Sequence, residues 1–324
     1  MKGTMELDEA TRVLRSGRLV AFPTETVYGL GGDATNSDAV QRIFAAKGRP
    51  STNPLIVHVS DAAVAQRYAK HWSTTADQLA RRFWPGPLTL VVPKADSIVK
   101  EVSAGLETVG LRAPDHPLAL RLLREFDGPV AAPSANRSNR VSPTTAEHVR
   151  RELGGAVDLI LDGGACSVGI ESTVLDLSQG TPRILRPGGI TREEIQSVVG
   201  PVDVVSKIAD SSQPASSPGQ QAVHYSPATT AYRLSPGQWR EFSSKPGRTV
   251  VPLILGGSRE WQGPDRGIRP IIMPAEPKAY ARRLYAALRE ADELGAHAIY
   301  VEMPPDEPEW AAVRDRLLRA TRPL

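Results

Sequence analysis

The run Arg18-Leu19-Val20-Ala21-Phe22-Pro23-Thr24-Glu25-Thr26-Val27-Tyr28-Gly29-Leu30 begins as a short apolar strand and then turns abruptly polar. Pro23 has no amide hydrogen to give a central ladder, so the strand is expected to stop there. Two hydroxyls, a carboxylate and a phenol follow, leading into Gly29, Gly31 and Gly32. So polar a turn is costly as packing and sensible as a binding edge, because ligands dock at strand ends in open α/β sheets. Taken alone, the segment fits a solvated loop with glycines for tight turns equally well.

The next cluster lies downstream of a helical pattern, Asp38 to Ala46, with apolar residues at Val40, Ile43 and Phe44. Lys47-Gly48-Arg49-Pro50 ends it, and Asn53-Pro54 leads into a strand, Leu55-Ile56-Val57-His58-Val59. Basic residues are at home at a helix C-terminus. Two cations around one glycine can also converge on a phosphate, arginine as a fork of donors and lysine as a compact charge. Following the polar turn at this spacing, the second reading is preferred.

Outward from these clusters, helical and strand patterns alternate. Helices are expected over Leu7 to Leu14, Ala76 to Phe83, Pro117 to Phe126 and Pro143 to Leu153, the last with Ser142 as N-cap and Pro143 in its first turn. Strands are expected over Leu88 to Val92, Pro129 to Ala132, Leu159 to Leu161 and Thr173 to Leu177. Such alternation argues for an α/β domain built on a mixed sheet. Near Ser206 the chain becomes rich in Ser, Pro, Gln and Gly, which reads as a linker. A smaller α/β unit follows, with strands at Ala231 to Leu234, Val250 to Leu255 and His297 to Val301, and helices over Ala279 to Leu294 and Trp310 to Leu318. The expected division is 1–205, a linker over 206–228, and 229–324.

Composition narrows the function classes. A formal net charge of +3 over 324 residues excludes a polycationic nucleic-acid coat. Arginine far outnumbers lysine, which favours forked contacts to phosphates and carboxylates. The single cysteine, Cys166, excludes an intrachain disulfide framework and a multi-cysteine zinc site, and it reads as a small buried thiol. No apolar run reaches the ~20 residues needed to span a bilayer, and Met1 to Asp8 lacks the apolar core of a signal peptide. A soluble cytoplasmic protein is expected. There is no Gly-Lys-Ser/Thr phosphate loop.

The motifs resemble those of the YrdC-type threonylcarbamoyl-AMP synthases. Pro23-Thr24-Glu25-Thr26-Val27-Tyr28-Gly29-Leu30, Lys47-Gly48-Arg49-Pro50 and Asn53-Pro54-Leu55-Ile56-Val57-His58 carry the likeness. So do Trp84-Pro85-Gly86-Pro87-Leu88-Thr89, Val109-Gly110-Leu111-Arg112-Ala113-Pro114 and Ala132-Pro133-Ser134-Ala135-Asn136. Gly169-Ile170-Glu171-Ser172-Thr173-Val174 and Arg186-Pro187-Gly188-Gly189 complete the order, over residues 6 to 200. The resemblance implies a YrdC-like twisted mixed sheet with flanking helices and, in the long form, a smaller C-terminal α/β domain. It implies an enzyme that joins L-threonine, bicarbonate and ATP, with Mg²⁺, into threonylcarbamoyl-adenylate and pyrophosphate. The product would pass to machinery that modifies adenosine in tRNA.

By motif, Thr26, His58, Arg112, Ala132 and Ser172 are implied to hold threonine. Arg49, Asn53, Thr108, Ser134, Ser142, Arg186 and Tyr225 are implied to hold ATP, with Lys47 and Arg49 acting in catalysis. No protein-bound metal site is expected. Ser217-Pro218-Gly219 and His224-Tyr225 match the two ends of a linker that folds over the site in the family, but Gln221 and Val223 replace its two cations. Each residue also has a plainer reading. His58 fits a core histidine, Arg112 a partner for Asp115, Arg186 a helix cap, and Glu25 either a general base or a carboxylate that orders the turn. Two other functions fit a domain of this type: a carbamoyltransferase forming a carbamoyl-adenylate, and a module holding double-stranded RNA weakly by its phosphates. A single cysteine and a small second domain weigh against the first, and the modest net charge against the second.

Overall fold

A computed structural model describes residues 2–205, 224–235, 238, 249–256 and 270–324. The chain divides into two compact units. One comprises Met1–Ser138, Ser142–Ser167 and Glu171–Gln221; the other comprises Asn139–Val141, Val168–Ile170 and Ala222–Leu324.

The first unit runs α1 (Lys2–Arg15), β1 (Val20–Phe22), β2 (Gly29–Asp33), α2 (Ser37–Lys47), β3 (Ile56–His58), α3 (Ala62–Gln66) and α4 (Thr74–Phe83). It continues through β4 (Leu88–Pro93), β5 (Thr108–Arg112), α5 (Pro117–Phe126), β6 (Val130–Ala131), α6 (Ala146–Leu153) and β7 (Leu159–Ile160). It closes with β8 (Thr173–Asp176), β9 (Arg183–Arg186), α7 (Arg192–Val199) and β10 (Asp203–Val204). The ten strands form one mixed sheet in the order β10-β9-β8-β4-β5-β3-β6-β2-β1-β7. The expected mixed sheet with flanking helices is what forms.

Side chains alternate across each strand, and this sorts the sheet into two faces. Leu88, Leu90 and Val92 of β4, Val109 and Leu111 of β5, Val57 of β3 and Leu175 of β8 join the large core. The same core takes Val40, Ile43 and Phe44 from α2 and Ala76, Leu79, Ala80 and Phe83 from α4. On the opposite face, α1 and α5 pack against Val20, Phe22, Val130 and Ala132. The remaining strands carry there only a small apolar group, Ile56, Val91, Val174 and Leu185. The alternation puts Thr108, Gly110 and Arg112 of β5, His58 of β3 and Thr89 of β4 on that same face. Those residues build the candidate site.

One expectation and two of the plainer readings give way. The glycines after Tyr28 are not turn residues: Gly29–Asp33 is strand β2, antiparallel to β1 with Val20 opposite Gly31. A Cβ on Gly31 would lie 2.8 Å from the Phe22 ring and 2.9 Å from Val130, so close packing demands glycine there. Helix α6 begins at Ala146, capped by the Thr145 hydroxyl on the His148 amide, and Ser142 is not its N-cap. Arg112 pairs with Glu25 and not with Asp115.

The second unit contains β11 (Ala231–Leu234), β12 (Val250–Leu255), β13 (Ile271–Met273), α8 (Pro277–Glu293), β14 (Ala298–Glu302), α9 (Ala311–Ala320) and β15 (Arg322–Pro323). Its sheet, ordered β13-β12-β14-β11-β15, is parallel throughout. Residues 206–223 of the expected linker lie outside the described residues. Among the described residues, no helix is long and apolar enough to cross a membrane.

Replacing Gly31 with Val should destabilise the protein by about 1–3 kcal/mol, the usual cost of overpacking a filled interior. Urea denaturation checks this; an unchanged midpoint would show that Phe22 and Val130 yield freely.

Candidate active site

The turn after β1 is held by its own hydroxyls. The Thr24 hydroxyl donates to the Val27 carbonyl at 2.6 Å and accepts from the Thr26 and Val27 amides, each at 3.2 Å. The Thr24 and Thr26 hydroxyls meet at 2.8 Å. Such local bonds replace the strand ladder that Pro23 interrupts. They present Glu25 and Thr26 to the polar face of the sheet.

Arg112, at the end of β5, meets that turn. Its Nη1 donates to the Thr26 hydroxyl at 2.9 Å, its Nη2 lies 2.7 Å from Glu25 Oε1, and its Nε donates to the Gly86 carbonyl at 3.2 Å. Arg112 is 3% exposed and Glu25 4%, so this is a buried ion pair, in which losing either partner strands a charge. His58 is the register partner of Arg112 on β3 and sets its ring edge-on to Phe22. Burial, reinforced by the Arg112 charge, lowers His58 to about 3, so its imidazole is neutral at physiological pH. Its Nδ1 finds no hydrogen-bond partner among the described residues. Ala132, just beyond β6, bonds through its amide to the Ile56 carbonyl.

Ser172 stands at the start of β8. Its hydroxyl meets that of Thr89 at 2.8 Å, and Arg186 clamps its carbonyl through Nε at 3.1 Å and Nη2 at 3.0 Å. The Ser142 hydroxyl donates to Glu171 Oε1 at 2.6 Å. Thr108 and Thr89 line one cleft together with Pro54, Ile56, Ser103, Gly110 and Val174. One of its lining residues, Pro54, gives its carbonyl to Arg49.

Lys47 closes α2, and Gly48 follows in the left-handed region with φ 58, where a side chain would be strained. Lys47 Nζ donates to the Ser134 and Asn136 carbonyls, each at 2.5 Å. Burial first, then the Arg49 charge, holds its ammonium well below the usual lysine range. Arg49 donates to the Asn53 and Pro54 carbonyls. Both cations therefore order the loops that carry Ser134 and Asn53.

Cys166 is a buried thiol, pushed up to about 12 by burial and then by the Glu25 charge. Such a thiol is not a nucleophile near neutral pH. Tyr225 is the remaining candidate. It packs in the second unit, 1% exposed, with its ring stacked on Tyr285 at 5.8 Å and Arg316 over it at 5.2 Å.

Sequence reasoning did not assign Thr89, Glu171 or the Gly86 carbonyl. Thr89 was within reach, because Leu88 and Leu90 mark it as facing away from the core. The partners of Glu171 and Gly86 come from distant parts of the chain, and no local pattern reports them.

The chain matches known sequences along most of its length. Residues 12–188 match the family described as Telomere recombination, which groups Sua5, YciO and YrdC, and residues 190–321 match the threonylcarbamoyl-AMP synthase C-terminal domain. A threonylcarbamoyl-AMP synthase of Bacillus subtilis is 42% identical over 322 residues, covering 97% of this chain and 92% of the relative. One of Pyrococcus abyssi is 39% identical over 320 residues, covering 96% and 93%. The solved structure of P. abyssi Sua5 complexed with L-threonine superposes with a TM-score of 0.86 at 38% identity, covering 97% of this chain and 93% of that one.

His58 makes stability depend on pH. An unfolded chain protonates it near 6.5, whereas the folded site holds it neutral down to about 3. Below pH 6.5 the unfolded state therefore binds the extra proton, and stability falls until pH 3 at roughly 1.4 kcal/mol per unit. A His58→Gln variant should lose less stability across this window, read by denaturant melts at stepped pH. Parallel losses in the two proteins would contradict the assignment.

Proposed function

The chain belongs to the Sua5/YrdC family of threonylcarbamoyl-AMP synthases, and we propose that its own site divides into a threonine side and a nucleotide side. The family reaction is nucleotidyl transfer, and it needs little acid–base apparatus. L-Threonine and bicarbonate give the N-carboxylate and water. A carboxylate oxygen of that carbamate then attacks the α-phosphorus of ATP, and pyrophosphate leaves with the former bridging oxygen. The protein's task is to hold several anions together and stabilise charge that develops on phosphate.

The observation that carries the division is Arg112. It is a buried cation fixed at three points and flanked by the Thr26 hydroxyl and a neutral imidazole. A forked guanidinium suits an amino-acid carboxylate, and a neutral imidazole and a hydroxyl beside it suit a small polar side chain. Ser172 and Ala132 complete the threonine side. On the nucleotide side, Arg49, Asn53, Thr108, Ser134, Ser142 and Arg186 take ATP, with Lys47 and Arg49 meeting the developing phosphate charge. For this, Lys47 and Arg49 exchange some of their carbonyl partners for phosphate oxygens.

Magnesium enters with ATP. The side chains proposed to take ATP are cationic or neutral, a set suited to phosphate oxygens, and the Glu171 carboxylate beside them is engaged by the Ser142 hydroxyl. When bound, the ion would supply charge neutralisation on the phosphates. Separate machinery is proposed to carry the activated group to tRNA.

The test is pyrophosphate release with each amino acid offered in turn. Release is expected to require both L-threonine and bicarbonate; release without threonine dependence would overturn the reading. Arg112→Ala should raise the threonine KM by roughly 100-fold, the scale of a lost charge-assisted bond, and leave the ATP KM within about threefold. Equal rises in both would refute the division of the site.

A further inference from the structure

The threonine side holds one charged group that the proposed reaction leaves unused. Glu25 is 4% exposed, and one of its oxygens, Oε1, lies 2.7 Å from Arg112 Nη2. Among the described residues, neither of its oxygens makes a hydrogen bond of good geometry, and Oε2 has no cation beside it. A buried carboxylate oxygen without a donor costs free energy. A carboxylate needed only to order the turn would bond to the turn's amides. Here those amides go to Thr24 instead: its hydroxyl accepts from Thr26 and Val27, and the turn closes without Glu25.

Charge complementarity says what Glu25 would meet. An α-amino acid is a zwitterion, with its carboxylate and ammonium on one carbon. A site for it needs a fixed cation and a fixed anion side by side, and the Arg112–Glu25 pair is such a couple. His58, on the same face and within electrostatic reach of Arg112, is neutral and cannot serve as the anion. Cys166, within electrostatic reach of Glu25, is held as a thiol.

Resting on the threonine reading above, we propose that Glu25 is the partner of the substrate's ammonium group and the acceptor of its proton. Ammonium and Glu25 carboxylate become amine and carboxylic acid. The amine nitrogen then bonds to the carbon of bicarbonate, and hydroxide leaves with one remaining nitrogen proton as water. The product is the carbamate, and Glu25 returns its proton to solvent.

The test is calorimetric titration of L-threonine and of (R)-3-hydroxybutanoate, which is threonine without its amine, into the full chain and into Glu25→Gln. The amide keeps the size of the side chain and an oxygen for Arg112. Threonine affinity should fall roughly 30-fold, the scale of a hydrogen bond to a charged group, while hydroxybutanoate affinity changes less than about threefold. Glu25→Asp, which keeps the charge, should restore part of the preference for threonine. Equal weakening of both ligands would show a merely structural role, and unchanged threonine binding would exclude the contact; either overturns the proposal. Unchanged pyrophosphate release by Glu25→Gln at saturating threonine overturns the proton transfer. If the unaltered protein fails to bind threonine at all, the functional reading falls, and this inference with it.

Discussion

One guanidinium ties the candidate site together. Arg112 reaches the turn after β1 through Thr26 and Glu25 and the loop before β4 through the Gly86 carbonyl, while belonging itself to β5. A cation this deep is tolerable only when its donors are met and its charge is balanced. The surrounding backbone is therefore arranged around it. The strand stops at Pro23, the turn is stapled by Thr24, and a carboxylate is buried nearby. The neutrality of His58 follows from burial first and then from the same charge, because a second cation beside Arg112 would be desolvated and also repelled.

The same logic recurs on the proposed nucleotide side. Lys47 and Arg186 are both buried and both spend donors on backbone carbonyls, those of Ser134, Asn136 and Ser172. Charges that would be expensive alone become fixtures holding loop backbone in place. The sheet supplies the ground for this. One of its faces is filled by helices, whereas β3, β5, β4 and β8 present to the other face a few apolar residues among hydroxyls, an imidazole and a guanidinium.

Elements whose pattern is local were legible in the sequence. Helix Pro117–Phe126 and strands Ala231–Leu234 and Val250–Leu255 have the bounds that periodicity assigned. Ser142 misled because Ser-Pro is a strong helix-start signal, yet its hydroxyl goes to Glu171 and the helix waits for Thr145. The glycine run misled because glycine signals turns, whereas here it lets β2 lie close against Phe22. For the site, Arg112 and Thr26 were named from motifs, but their direct bond was not foreseeable. Glu25 stayed ambiguous, since only the folded chain shows that the turn amides are satisfied by Thr24. Short β9 and the capping-box helix α7 escaped notice, though Thr191 and Glu194 spell the box.

The strand order has a consequence for how the molecule comes into being. β1 pairs with β2, but its other edge is completed only by β7, with Val20 beside Leu159, and β4 waits for β8, with Leu88 beside Thr173. A chain emerging from the ribosome thus makes Val20 and Leu88 long before their neighbours exist. Until then the nascent first half carries open apolar strand edges, the kind of surface that chaperones cover and that aggregates seek. Closure of the sheet is a late and collective event, and the polar face is assembled in that same step.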